Sequence, residues 1–168
     1  MELWDIYDEN RQKTGRTMVR GEKMPPGEFH LVIHVCLFNS KGEMLIQKRT
    51  MQKESFPGLW DLSVGGSAVA GDTGRKAASR ELEEELGVKI DFSGIRPYAT
   101  MHFKTGFDDV FLVEKDLALS DLTLQKEEVS EAKWASLDTI LEMIDNGDFI
   151  SYYKDYIRLL FAAPRVKL

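Results

Sequence analysis

The chain has 168 residues, 43% of them hydrophobic and 30% charged, with a net charge of −6 and a pI near 5.2. That is the length and composition of one soluble globular domain, and its acidic balance excludes a broad electrostatic footprint for duplex nucleic acid or an anionic membrane. The start, MELWDIYDEN, is acidic and lacks the apolar core of a secretory leader, no apolar run reaches the length of a membrane span, and the single cysteine, Cys36, allows no internal disulfide, so the expected setting is the cytoplasm.

In chain order, residues 2–8 read as a short strand, with a turn through Asp8, Glu9, Asn10 and Gly15, and residues 17–20 as the returning strand of an N-terminal hairpin spanning 1–22. A Pro-Gly loop follows. Residues 30–39 form a near-continuous apolar run around Leu31, Ile33, Val35 and Leu37, the mark of a buried strand. Residues 40–42 turn the chain into a strand over 43–48. Residues 61–64 make a short strand that runs into Gly65 and Gly66. Thr73 or Asp72 is placed to cap a helix that runs to Leu86 and stops at Gly87. Strands are expected over 96–103, 110–115 and 130–135, then helices over 137–145 and 151–162, the last ended by Pro164. Strands mixed with few helices imply an α+β or α/β/α sandwich fold in one domain covering 1–168, with C-terminal helices inside 137–163.

The chemistry is concentrated between Gly66 and Val88, GSAVAGDTGRKAASRELEEELGV. On a helix, Ala78, Leu82 and Leu86 fall at i, i+4 and i+8 and form a core stripe. Glu81, Glu84 and Glu85 share a neighbouring sector, and Glu83 points to solvent. Like charges at these spacings repel, and near a helix C-terminus they also oppose the dipole. Selection for stability alone would avoid them. A glutamate run on its own reads as a solvated face. Clustered carboxylates are also what Mg²⁺ needs, as hard oxygen donors with substrate phosphates completing the shell. The Gly65-Gly66 pair lets the backbone approach closely, so a carbonyl there is a further candidate ligand.

The segment resembles the Nudix box, G-x5-E-x7-R-E-U-x-E-E-x-G-U, where U is a bulky aliphatic residue. Gly66 opens the pattern, and Arg80-Glu81-Leu82-Glu83-Glu84-Glu85-Leu86-Gly87-Val88 closes it without a mismatch. The one departure is Asp72, in place of the first glutamate. The resemblance implies a Nudix fold with a mixed sheet and the box helix between sheets. It also implies hydrolysis of a diphosphate linkage in a small molecule such as a nucleoside diphosphate derivative. Glu81 and Glu85 would be the principal metal ligands, with Glu84 a further ligand or base. Arg80 would orient a catalytic glutamate, and Gly65 would offer its carbonyl. The metal would be Mg²⁺, with Mn²⁺ able to substitute.

Beyond the box, residues 30–49 and Phe56-Pro57-Gly58-Leu59-Trp60 resemble the branch that includes isopentenyl-diphosphate isomerase. That enzyme uses a cysteine and a metal-binding histidine, and aligned on Trp60 this chain has Gly65 and Ser67 in their places. Cys36, inside an apolar strand, is read as a core residue. His30 matches a family histidine, but an isolated histidine is more often structural. Hydrolysis is therefore favoured. The rivals are an isomerase and a non-catalytic Nudix domain that binds a metabolite; retention of the three glutamates on the metal face argues against the latter.

Outside the box, Glu127 and Glu128 precede a strand and are candidates for the extra acid, Glu128 as ligand or base. Asp108 and Asp109 follow Gly106-Phe107 near a strand start and are read as turn residues rather than catalytic ones, although Asp109 falls near the acidic position of the isomerase that the resemblance brings in. Phe56, Trp60 and Phe107 are candidates for a flat surface that takes an organic group, weighed against ordinary packing. Lys48 and Arg49, at a strand end, are candidates for substrate phosphates. A homodimer, where one forms, would pair through the N-terminal hairpin or the terminal helix.

Overall fold

The structure is a computed structural model that describes residues 2–168. Its tertiary contacts gather into two compact units, each built from three stretches of chain. The first comprises the described residues up to His34, with 65–81 and 91–111; the second comprises 35–64, 82–90 and 112–168.

In the first unit, β1 (Leu3–Tyr7) and β2 (Lys13–Val19) form an antiparallel hairpin with a register shift between Asp5 and Tyr7. Asp8 organises the turn by accepting the amides of Asn10 and Gln12, which leaves Arg11 with a positive φ of 59°. The return strand thus starts at Lys13, four residues before the expected Thr17. The unit also holds the start of β3 (His30–Phe38), β6 (Val64–Ser67) from Gly65 onward, and the first turns of α1 (Gly74–Leu86). The β7 (Ala99–Phe103) and β8 (Gly106–Glu114) hairpin is paired from Ala99↔Val110 to Phe103↔Gly106. Since β8 begins at Gly106, Asp108 and Asp109 lie in a strand, which corrects their reading as a turn. The turn is only the two residues between Phe103 and Gly106. Phe92 and Phe111 pack edge to face with centroids 5.3 Å apart.

In the second unit, β4 (Met44–Arg49) is the central strand, paired with β3 at Phe38↔Met44, with β5 (Trp60–Asp61), and along its length with β9 (Val129–Ala135). The expected strand over 61–64 is instead the two short strands β5 and β6. Helix α2 (Leu137–Asn146) is capped by Ser136, whose hydroxyl accepts the Thr139 amide, and ends at Gly147 with φ 79°. Helix α3 (Lys154–Ala162) begins three residues later than its apolar pattern suggests. A two-residue strand, β10 (Val166–Lys167), then pairs parallel to the end of β8. Hydrogen bonding orders the strands β10-β8-β3-β4-β5, with β6 on β3, β7 on β8 and β9 on β4. Parallel pairing, as of β10 with β8, beside antiparallel pairing, as of β4 with β9, makes the sheet mixed and the fold α+β. Ile33, Val35, Cys36, Leu37 and Phe38 of β3 are fully buried, as a continuous apolar run requires. Among the described residues no helix is long and apolar enough to cross a membrane.

Candidate active site

Helix α1 starts where Thr73 accepts the Lys76 amide at 3.3 Å and stops at Gly87, with φ 70°. The Val88 amide closes back on the Leu82 carbonyl at 3.3 Å. Ala77, Ala78, Leu82 and Leu86 are fully buried, which confirms the apolar stripe; each leucine contributes about 2 kcal/mol by leaving water. Two last-turn carbonyls that a helix leaves unmatched are taken by the loop before β9: Gln125 donates to Glu85 at 3.0 Å, and Thr123 to Leu86 at 2.9 Å. The glutamates follow from that anchoring. Glu83 faces out and pairs with Lys89, Glu84 is exposed, and Glu85 is only 4% exposed.

The glycine pair meets this helix through Glu81. A Cβ on Gly66 would overlap the Glu81 carboxylate, so only glycine permits the approach. Arg80 donates to Glu81 at 2.9 Å, to the Ser67 carbonyl at 3.1 Å and to Asp72 at 3.2 Å. Asp72, despite its shorter arm, reaches the guanidinium that joins the loop to the helix. Gly65 is crowded from a different side chain: a Cβ there would stand 2.7 Å from His34 Nε2. The His34 ring is held by Asp108, Nδ1 to Oδ2 at 2.8 Å. His34 is not among the residues the sequence reading singles out, and Asp108 enters it only as a turn residue; for His34 a signal existed, a polar residue at an alternate position of the apolar strand β3.

Asp109 is buried, joined to Arg11 and accepting the Thr100 hydroxyl at 2.7 Å. His30 is 8% exposed and stacked on Trp4 with centroids 4.1 Å apart. Burial, and then the nearby Arg20 charge, lower its pKa to about 4. It is a neutral packing residue, as expected of an isolated histidine.

The remaining candidates separate. Phe107 is 2% exposed and packed against Tyr7, Phe29 and His102, which leaves no ring face for a ligand and corrects its assignment to substrate. Trp60 is nearly buried as well, with the Lys133 ammonium 4.4 Å from its ring centre and Lys48 at 6.0 Å. Arg49 is not the exposed strand-end cation its position suggested. It bonds the Ser55 carbonyl at 2.9 Å and pairs with buried Asp61 at 3.4 Å, and Asp61 also accepts the Tyr152 hydroxyl. Lys48 keeps partial access beside Glu131. Glu128 forms an ion pair with Lys53, and the Glu127 carbonyl accepts the Thr50 hydroxyl.

Among the described residues no three His, Cys, Asp or Glu side chains are gathered as a bound ion would gather them. The donor chemistry nonetheless fits a hard divalent cation. Glu81 and Glu85 are carboxylates one helical turn apart, hard oxygen donors of the kind such a cation takes, one pressed against a glycine and one almost wholly buried.

A family model, the NUDIX domain, matches residues 28–154. An uncharacterised Nudix hydrolase of Listeria monocytogenes is 54% identical over 153 residues, covering 91% of this chain and 90% of that protein. An isopentenyl-diphosphate Delta-isomerase of Escherichia coli is 33% identical over 121 residues, covering 69% of this chain and 66% of that one. The crystal structure of a Deinococcus radiodurans protein superposes with a TM-score of 0.75 at 27% identity, covering 95% of this chain and 97% of that one.

Proposed function

The chain belongs to the Nudix hydrolase family, and from that premise we propose that it is a single Nudix domain that hydrolyses the diphosphate linkage of a nucleoside diphosphate derivative or similar small organic pyrophosphate, using Mg²⁺ with Mn²⁺ as a substitute. The observation that carries this reading is the Glu81 carboxylate seated against Gly66 and tied through Arg80 to Asp72. Glu81, Glu85 and the Gly65 carbonyl would hold the cation. Such an ion, when bound, neutralises charge on the diphosphate oxygens and lowers the pKa of a bound water. Arg80 keeps Glu81 oriented. Glu84 is exposed and suited to take a proton from the attacking water, or to add a ligand. Glu128, steadied by Lys53, is the acid outside the helix for the same task. Lys48, beside the Trp60 ring, is the basic group with access to substrate phosphates.

The isomerase reading has the Escherichia coli relative in its favour. Against it stands Gly65: the position has no thiol, and His34 takes the space where one would begin. Product and phosphate release should be followed with Mg²⁺ across sugar-nucleotides, dinucleoside polyphosphates, nucleoside triphosphates, coenzyme A species and prenyl diphosphates. Turnover of one class supports hydrolysis and names the substrate. Silence throughout, or proton exchange at the carbon of a prenyl diphosphate, overturns it.

A further inference from the structure

Two adjacent glycines in β6 are crowded by two different side chains. Successive residues of a strand face opposite sides. On one side Gly66 admits Glu81. On the other, a Cβ on Gly65 would stand 2.7 Å from Nε2 and 2.8 Å from Cδ2 of His34. The imidazole therefore fills the volume that any other residue at 65 would claim. Its own position is set by Asp108. A carboxylate accepts but cannot donate, so Nδ1 carries the hydrogen in that 2.8 Å contact. Both side chains are 16% exposed, and Asp108 Oδ1 is buried with no hydrogen-bond partner. A carboxylate left half-satisfied beside an apolar strand is a poor choice for stability alone.

We infer that His34 and Asp108 are positioning residues for the metal site: Asp108 holds the His34 ring, the ring backs Gly65, and the glycine pair is thereby fixed for its contact with Glu81. The inference rests on the metal-dependent reading above and adds to it two residues outside the box. They act through the backbone, with no contact to substrate assigned to them. They also explain why position 65 must lack a side chain, independently of the close approach that Glu81 requires at 66.

The test is Mn²⁺ binding, read by electron paramagnetic resonance of the unbound ion, with melting temperature recorded alongside. Supports of this kind typically change metal affinity 10- to 100-fold, so His34→Ala and Asp108→Ala should each weaken Mn²⁺ binding by at least about tenfold. Asp108→Asn, which can still accept from Nδ1, should recover most of that loss. Arg11→Met serves as the control. It breaks the pair with buried Asp109 in the same unit, and should lower the melting temperature while leaving Mn²⁺ affinity within about twofold. A second measurement needs no metal: Gly65→Ala should lower the melting temperature in the parent and distinctly less in the His34→Ala background. Wild-type affinity in His34→Ala and Asp108→Ala, or an equal loss in Arg11→Met, overturns the inference while the metal reading survives. A parent protein that takes up no Mn²⁺ overturns the metal reading itself, and this inference with it.

Discussion

At Gly147, after α2, the backbone turns left-handed and nothing lies within 4 Å of where a side chain would begin. At Gly66, in β6, no left-handed turn is needed and the space is filled by the Glu81 carboxylate. The first glycine answers to conformation, the second to volume. Adding one methyl at each therefore asks different questions. The obstacle at 66 is the end of a flexible side chain, which can swing aside at small cost to the fold. What moves is the group proposed to hold the metal.

That contrast can be broken experimentally, and the largest expected effect lies beside it. Glu85→Gln removes the charge of a proposed ligand while keeping shape, and should cut turnover about a thousandfold with the circular dichroism spectrum unchanged. Normal hydrolysis by that variant would remove Glu85 from the site. Gly66→Ala should lower kcat/KM at least about 100-fold, as misplacement by an ångström does, with little change in melting temperature. Its mirror image is Gly147→Ala, expected to cost about 1 kcal/mol in urea unfolding and nothing in activity. If both variants lose stability and activity together, the distinction between the two glycines fails.

On stability alone the largest effect is that of His30. The unfolded chain takes up a proton near pH 6.5, but the folded one holds the imidazole neutral down to about 4. The unfolded state thus binds more protons across that window, and stability falls as pH drops, by up to about 3 kcal/mol at its lower end. His30→Phe should flatten this part of the profile of urea midpoint against pH. Smallest is Asp72→Asn, which weakens the tie to Arg80. It should reduce kcat/KM by about tenfold, while Asp72→Glu, the residue of the box pattern, stays within about twofold.

The parts legible in the sequence were those encoded by spacing along one element. The stripe of Ala78, Leu82 and Leu86, the stop at Gly87 and the glutamate sector are consequences of helical period, which a linear pattern carries. Pairings across the chain left little trace. His34 meets Asp108 from 74 residues away, and Arg11 meets Asp109 from 98. Asp109 looked like a turn residue because Gly106 and Phe107 precede it, yet the turn is the two residues before Gly106, and Phe107 is already in the core. Arg49 looked free because its partner, Asp61, is buried by folding rather than by position in a strand. β10 is too short for any periodicity, and its pairing with β8 is a tertiary choice.

Cys36 sits fully buried in the second half of β3, and it is the one thiol in the chain. A maleimide in excess can reach it only when that strand opens, so the labelling rate divided by the rate of an unhindered thiol gives the opening equilibrium directly. The protein thus carries a built-in reporter of local unfolding. Substrate or metal that tightens the strand would show as slower labelling, with no probe attached beforehand.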